Sequence, residues 1–101
     1  MMIVVLFNLK ADAASDAYEN WAKNTDIPNV NALGSVNSFT VLRTTGLLGS
    51  EADAPYQYVE LLDVADMNKL GEDISTETMQ QVAAEFGEFA DNPQFMLTSP
   101  I

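Results

Sequence analysis

Apolar and polar positions along this chain switch between two spacings, and the switches mark its elements. Residues 2–8 (MIVVLFN) form an apolar run of the right length for a strand covered on both faces. Residues 11–14 read as a connection, after which Ser15 is expected to cap a helix with Asp16 and Glu19 in its first turn. Tyr18, Trp21 and Ala22 then share one apolar stripe, while Glu19 and Lys23 pair on the outer side. Proline lacks an amide proton and restricts its predecessor, so the helix should break or kink between Asn24 and Pro28. Thr25 or Asp26 would cap a short second helix running through Val30 and Leu33 to Gly34.

Residues 35–44 (SVNSFTVLRT) alternate with β-branched and aromatic members, the pattern of a second strand. The segment 45–55 (TGLLGSEADAP) carries two glycines, a proline and two acids spaced as in a hairpin-type loop, with Leu47 and Leu48 as its apolar exceptions. Those leucines close over a pocket or clasp a partner subunit. Residues 56–64 (YQYVELLDV) give a third strand, and Asp63 or Asp66 caps a short helical turn bearing Met67 and Leu70, closed by Gly71. Ser75 or Thr76 opens the last helix, in which Met79, Val82, Ala83, Phe86 and Phe89 keep a helical stripe. Asn92-Pro93 should stop it, leaving residues 95–98 (FMLT) as a short final strand.

The predicted order is β-α-β-β-α-β, an α+β fold of the ferredoxin-like kind: a four-stranded antiparallel sheet with two helices on one face, in a single domain over residues 1–101. Both faces of the strands are apolar. Val4, Leu6 and Asn8 oppose Ile3, Val5 and Phe7, and Gln57, Val59, Leu61 and Asp63 oppose Tyr56, Tyr58, Glu60 and Leu62. A lone subunit would therefore leave an oily sheet in water, and a homodimer pairing two sheets face to face is expected.

Composition narrows the chemistry. The formal net charge is −11, and Lys10, Lys23, Arg43 and Lys69 are the only basic residues, so no patch can neutralise a phosphate backbone. Neither nucleic acid nor an anionic membrane is an expected partner. The apolar run Met1 to Phe7 is too short to span a bilayer and lacks the marks of a secretory signal, so a cytoplasmic location is expected. With no histidine or cysteine, a Ser-His-Asp triad, a haem histidine, a thiolate nucleophile and zinc-thiolate or iron–sulfur sites are all excluded. No cofactor and no metal site are expected. Chemistry falls to carboxylates, tyrosines, amides and the ligand itself.

The runs TDIPNVNALGSV, SFTVLRTTGLL, PYQYVELLDVADM and DISTETMQQVAAEFGEFADNPQFMLTSPI together resemble the RedY-like (HapK-type) family found with prodigiosin-type pigment pathways. The resemblance spans nearly the whole chain. It implies the dimeric α+β barrel group, a pocket between helices and sheet, and a role in making pyrrole pigments by binding an apolar heteroaromatic intermediate and assisting its condensation or cyclisation. It supplies no catalytic motif. A non-catalytic carrier of such an intermediate and a cofactor-free oxygenase are the alternatives, and whether the chain is an enzyme stays open. Related barrels include cofactor-free oxygenases and cyclases, several of which use a histidine near the region of Ile27-Pro28; this chain has none, which counts against carrying that mechanism over.

Candidate site residues are polar groups in apolar surroundings and aromatics beside them. Glu60, in mid-strand with Tyr58 on the same face, is either a proton-transfer group with a raised pKa or the partner of Arg43 in an ion pair. Asp26 is a second carboxylate for catalysis or a helix cap. Asn8 reaches a ligand carbonyl or ties down nearby backbone. Tyr18, Trp21, Phe86 and Met96 stack on a flat ligand or pack the core, and Arg43 and Tyr58 complete the ligand-binding candidates.

Overall fold

The computed structural model describes residues 1–101. Four strands, β1 (Met2–Leu9), β2 (Val36–Arg43), β3 (Tyr58–Val64) and β4 (Ala90–Leu97), form one antiparallel sheet in the order β2-β3-β1-β4. This is the ferredoxin-like arrangement expected from the element order. The apolar strands β1 and β3 take the centre, where both faces can be covered, and β2 and β4 form the edges.

The helical layer starts with α1 (Ser15–Trp21), capped without a side-chain hydrogen bond from Ala14, so Ser15 is its first residue and not its cap. The chain does not break before Pro28. It runs through a π-helical turn (Ala22–Asp26) directly into α2 (Ile27–Asn31), with the Ile27 amide donating to the Ala22 carbonyl. The wider turn absorbs the proline, which sits in the first turn of α2, where a missing amide proton costs nothing. A short α3 (Met67–Asp73) is capped by the Asp66 carboxylate, which accepts from the Asn68 and Lys69 amides at 3.0 and 3.1 Å. Helix α4 (Glu77–Phe89) is capped by the Thr76 hydroxyl, which accepts from the Met79 amide.

β4 is longer than the expected 95–98. It begins immediately after α4 and carries Asn92-Pro93 within it, at a bulge against β1 where Asn92 takes a φ of 47°. An edge strand accepts a proline because one side of it needs no ladder bond.

Strand alternation sorts the side chains into two faces. Ile3, Val5, Phe7, Phe39, Tyr58 and Val64 point at the helices and are buried with Tyr18, Ala22, Val30, Leu70, Met79 and Val82. The opposite face has no helix over it. There the register aligns Thr40–Leu61–Val4–Met96 in one cross-strand row and Leu42–Val59–Leu6–Gln94 in the next. Leu42 and Met96 in these rows are exposed.

The 44–57 connection is pinned at its base. The Asn8 amide donates to the Pro55 carbonyl at 3.1 Å and accepts from the Gln57 amide at 2.9 Å, while the Gln57 side chain accepts from the Leu9 amide at 2.6 Å. Leu48, at the loop's far end, is fully exposed.

Candidate functional site

Glu60 lies at the middle of β3, directly between Val5 of β1 and Val41 of β2, and its side chain points at the helices. It is 4% exposed in surroundings that are mostly apolar. Its one protein partner is the Tyr18 hydroxyl of α1, which donates to Oε2 at 3.5 Å. Burial, reinforced by the negative charge of Asp26, pushes the Glu60 pKa up to about 8 against the pull of the tyrosine hydroxyl. Tyr18 in turn is held far above its ordinary pKa by burial and then by the charge of Glu60, so its hydroxyl serves as a donor.

Asp26 ends the π-helical turn. It stands at the N-terminus of α2 in helical geometry, and its side chain makes no capping bond, contrary to the cap expected from sequence. The reason is the uninterrupted helix: a residue with α-helical φ and ψ cannot fold its side chain back onto the following amides as a cap does. Asp26 is instead a buried residue, 6% exposed, whose carboxylate accepts no hydrogen bond from the protein and faces the same cavity as Glu60. Burial pushes its pKa up to about 6. π-Helical turns recur at functional sites because they re-aim one side chain out of helical register.

The cavity holding both carboxyls has a volume of about 460 Å³ and lies between α2, α4 and the sheet. Fourteen of its 17 lining residues are hydrophobic, among them Val30, Phe39, Met79, Val82 and Phe86. Phe95 and Leu97 of β4 and Ile74, which follows α3, also line it and are all well exposed. The size falls within the about 300–1,000 Å³ typical of small-molecule sites, as does the combination of an apolar lining with a few convergent polar groups.

The structure brings Glu60, Asp26 and Phe86 of the candidate set together on this cavity and sends the others elsewhere. Arg43 does not pair with Glu60. The register sets it opposite Tyr58, and its guanidinium binds the Glu19 carboxylate through two hydrogen bonds of 2.9 and 3.0 Å. The Tyr58 hydroxyl donates to the same carboxylate at 2.7 Å, and the Arg43 and Tyr58 bonds hold Glu19 below the usual carboxylate range. Tyr58 stacks on Phe7 with centroids 5.4 Å apart and meets Tyr18 edge-on at 4.8 Å, forming the wall behind Glu60. Burial pushes its pKa up to about 12. Trp21 packs on Phe89 at 5.5 Å and donates from Nε1 to Glu85 at 2.7 Å, so it belongs to the packed layer and not to the cavity lining. Asn8 is fully engaged with loop backbone. Met96 points away from the cavity, because it pairs with Val4 on the uncovered face of the sheet. Its neighbours Phe95 and Leu97 take the inner positions that sequence reading gave to Met96. Strand parity relative to Val5, which faces Phe95, was the signal that could have found them.

A family model described as REDY-like protein HapK matches residues 1–101. The crystal structure of HapK from Hahella chejuensis superposes with a TM-score of 0.71 at 28% identity, over 100% of this chain and 97% of that one. SnoaB, a cofactor-independent oxygenase from Streptomyces nogalater crystallised as a point mutant, is similar at TM-score 0.72 and 14% identity, over 99% of this chain and 93% of that one. A dimeric ferredoxin-like protein of unknown function from Thermobifida fusca is similar at TM-score 0.72 and 12% identity, over 94% of this chain and 85% of that one. The last two share the fold. None of the curated proteins matches the sequence.

Proposed function

The chain belongs to the REDY-like HapK family, and from that premise we propose that it serves secondary-metabolite biosynthesis, binding an apolar heteroaromatic intermediate of a pyrrole-pigment pathway and assisting its condensation. The observation that carries this reading is the pair of carboxyls with different proton affinities in one apolar cavity. Burial raises both, Asp26 to about 6 and Glu60, which also feels the charge of Asp26, to about 8, so Glu60 holds its proton to higher pH than Asp26 does. Two acids pushed apart in this way divide into a base and an acid.

The chemistry follows from that division. When a ring carbon of one partner attacks the carbonyl carbon of another, the carbonyl oxygen gains a proton and the ring carbon must lose one. Protonated Glu60 supplies the first and the Asp26 carboxylate accepts the second. Asp26, now protonated, gives its proton to the same oxygen, which leaves as water. The conjugated cation that remains returns a ring N–H proton to Glu60, so the two partners are joined with net loss of one water and both carboxyls are restored. The largely apolar cavity holds the reactants and strengthens each proton-transfer contact.

The same reading includes a homodimer. Its support is the uncovered sheet face, whose two central rows are largely apolar from edge to edge, together with fold neighbours described as dimeric. Leu48, fully exposed on the 44–57 loop, offers a further apolar contact.

The test is direct incubation of the purified protein with a pyrrole carbaldehyde and an alkylpyrrole, followed by mass spectrometry. The expected result is a condensed product lighter than the sum of the partners by one water, and a loss of about a hundredfold or more in rate for Glu60→Gln with binding retained. Binding without conversion would reduce the protein to a carrier. A Glu60→Gln variant as active as the parent would remove Glu60 from the chemistry.

A further inference from the structure

From the unmatched hydrogen-bond acceptors of the cavity, we infer that its ligand is a cation: an apolar ring system bearing a protonated nitrogen with N–H donors directed at Asp26 and Glu60. The inference rests on the reading of this cavity as the ligand site and adds the ligand's charge.

The donor and acceptor inventory of the lining leads to it. The cavity contains two carboxyl side chains and no cation. Arg43 is engaged by Glu19, Lys69 lies 3.7 Å from Asp73, and Lys10 and Lys23 are exposed away from the cavity. The one amide in the lining, Gln80, donates to the Ser75 carbonyl at 3.3 Å. Only the Tyr18 hydroxyl donates to either carboxyl, at the long distance of 3.5 Å. Asp26, only 6% exposed, has no donor at all. A buried carboxylate without donors is costly, and in native proteins such a group is paired or finds its partner in a ligand. No side chain here provides that partner, so a donor on the ligand would find both carboxyls free to accept. A neutral N–H would satisfy one lone pair, whereas a protonated nitrogen satisfies the charge as well, and charge-assisted hydrogen bonds are roughly twice as strong as neutral ones. An anionic ligand would be repelled by the Asp26 carboxylate.

Three probes of nearly the same shape isolate the charge: biphenyl amidine (cation), biphenyl amide (neutral) and biphenyl carboxylate (anion). Each is titrated into the full-length protein and followed by methyl shifts of Met79 and Val82, which line the cavity. The titrations are run in high salt, so that the protein's net charge of −11 is screened. The amidine is expected to bind tighter than the amide by about tenfold or more, the carboxylate weakest, with Asp26→Asn removing most of the preference. The wild-type comparison alone decides the matter should Asp26→Asn fail to fold. Amidine and amide binding within about threefold of each other, or the carboxylate binding best, overturns the charge assignment and leaves the cavity as a ligand site. No methyl shift with any probe overturns both.

Discussion

Replacing Glu60 by glutamine should stabilise the folded protein, and by an amount that depends on pH. A carboxyl with an ordinary pKa of 4.5 in the unfolded chain and about 8 in the folded one binds its proton more tightly when folded. Its contribution to stability is complete below the unfolded value and is lost progressively as pH rises through the folded value. Each pH unit above 4.5 weakens folding by about 1.4 kcal/mol until the folded group itself ionises. At pH 7 the loss is about 3 kcal/mol, and above pH 8 it levels off at about 4–5 kcal/mol. Glutamine has nearly the same shape and no charge to desolvate, so Glu60→Gln escapes that loss. Urea unfolding of both proteins across pH 5–8, at one fixed protein concentration so that any association counts equally in both, reads the difference. The variant should exceed the parent by only about 1 kcal/mol or less near pH 5 and by a midpoint shift of about 1–3 M urea at pH 7. Asp26, raised in the same direction by burial, is present in both proteins and largely cancels. A difference that stays flat across this range, or favours the parent at high pH, would refute the buried, protonated Glu60 on which the chemistry depends.

Further consequences concern the uncovered face and the β2 edge. Leu61→Asp places a charge at the centre of the row Thr40–Leu61–Val4–Met96. Sedimentation should find the parent as a dimer at low micromolar protein and this variant as a folded monomer by circular dichroism; a monomeric parent would contradict the face-to-face assembly. Asn31 caps the open edge of β2, accepting from the Phe39 amide at 3.0 Å and donating to the Phe39 and Ile27 carbonyls at 3.1 and 3.0 Å. Asn31→Ala should cost about 1 kcal/mol by urea unfolding and speed amide exchange at Phe39, and an unchanged exchange rate would count against its role in holding that edge.

The architecture was legible because strand and helix spacings are strong in this chain, and because the apolar runs of β1 and β3 demand the central positions. Glu60 was legible for a similar reason: a charged residue inside YVELL must be either paired or functional. Its actual surroundings were not. Which cation pairs with which carboxylate depends on strand register, and the register delivers Arg43 to Tyr58 and Glu19. The π-helical turn that frees Asp26 from capping has no sequence period of its own, since one displaced hydrogen bond creates it. β4 reaches back to Ala90 because Leu9 and Asn8 offer ladder partners to Ala90 and Asp91, a tertiary pairing that overrides the stop signal of Asn92-Pro93. That extension also fixes the parity which turns Phe95 and Leu97 inward and Met96 outward.

Carbon-13 NMR titration of the side-chain carboxyl groups, with Glu60→Gln and Asp26→Asn used for assignment, reaches the centre of the account. Two carboxyl resonances with midpoints near 6 and 8, the higher one absent in Glu60→Gln, are the predicted result. If every carboxyl titrates below pH 5, the cavity holds two ordinary carboxylates, and the division into acid and base fails.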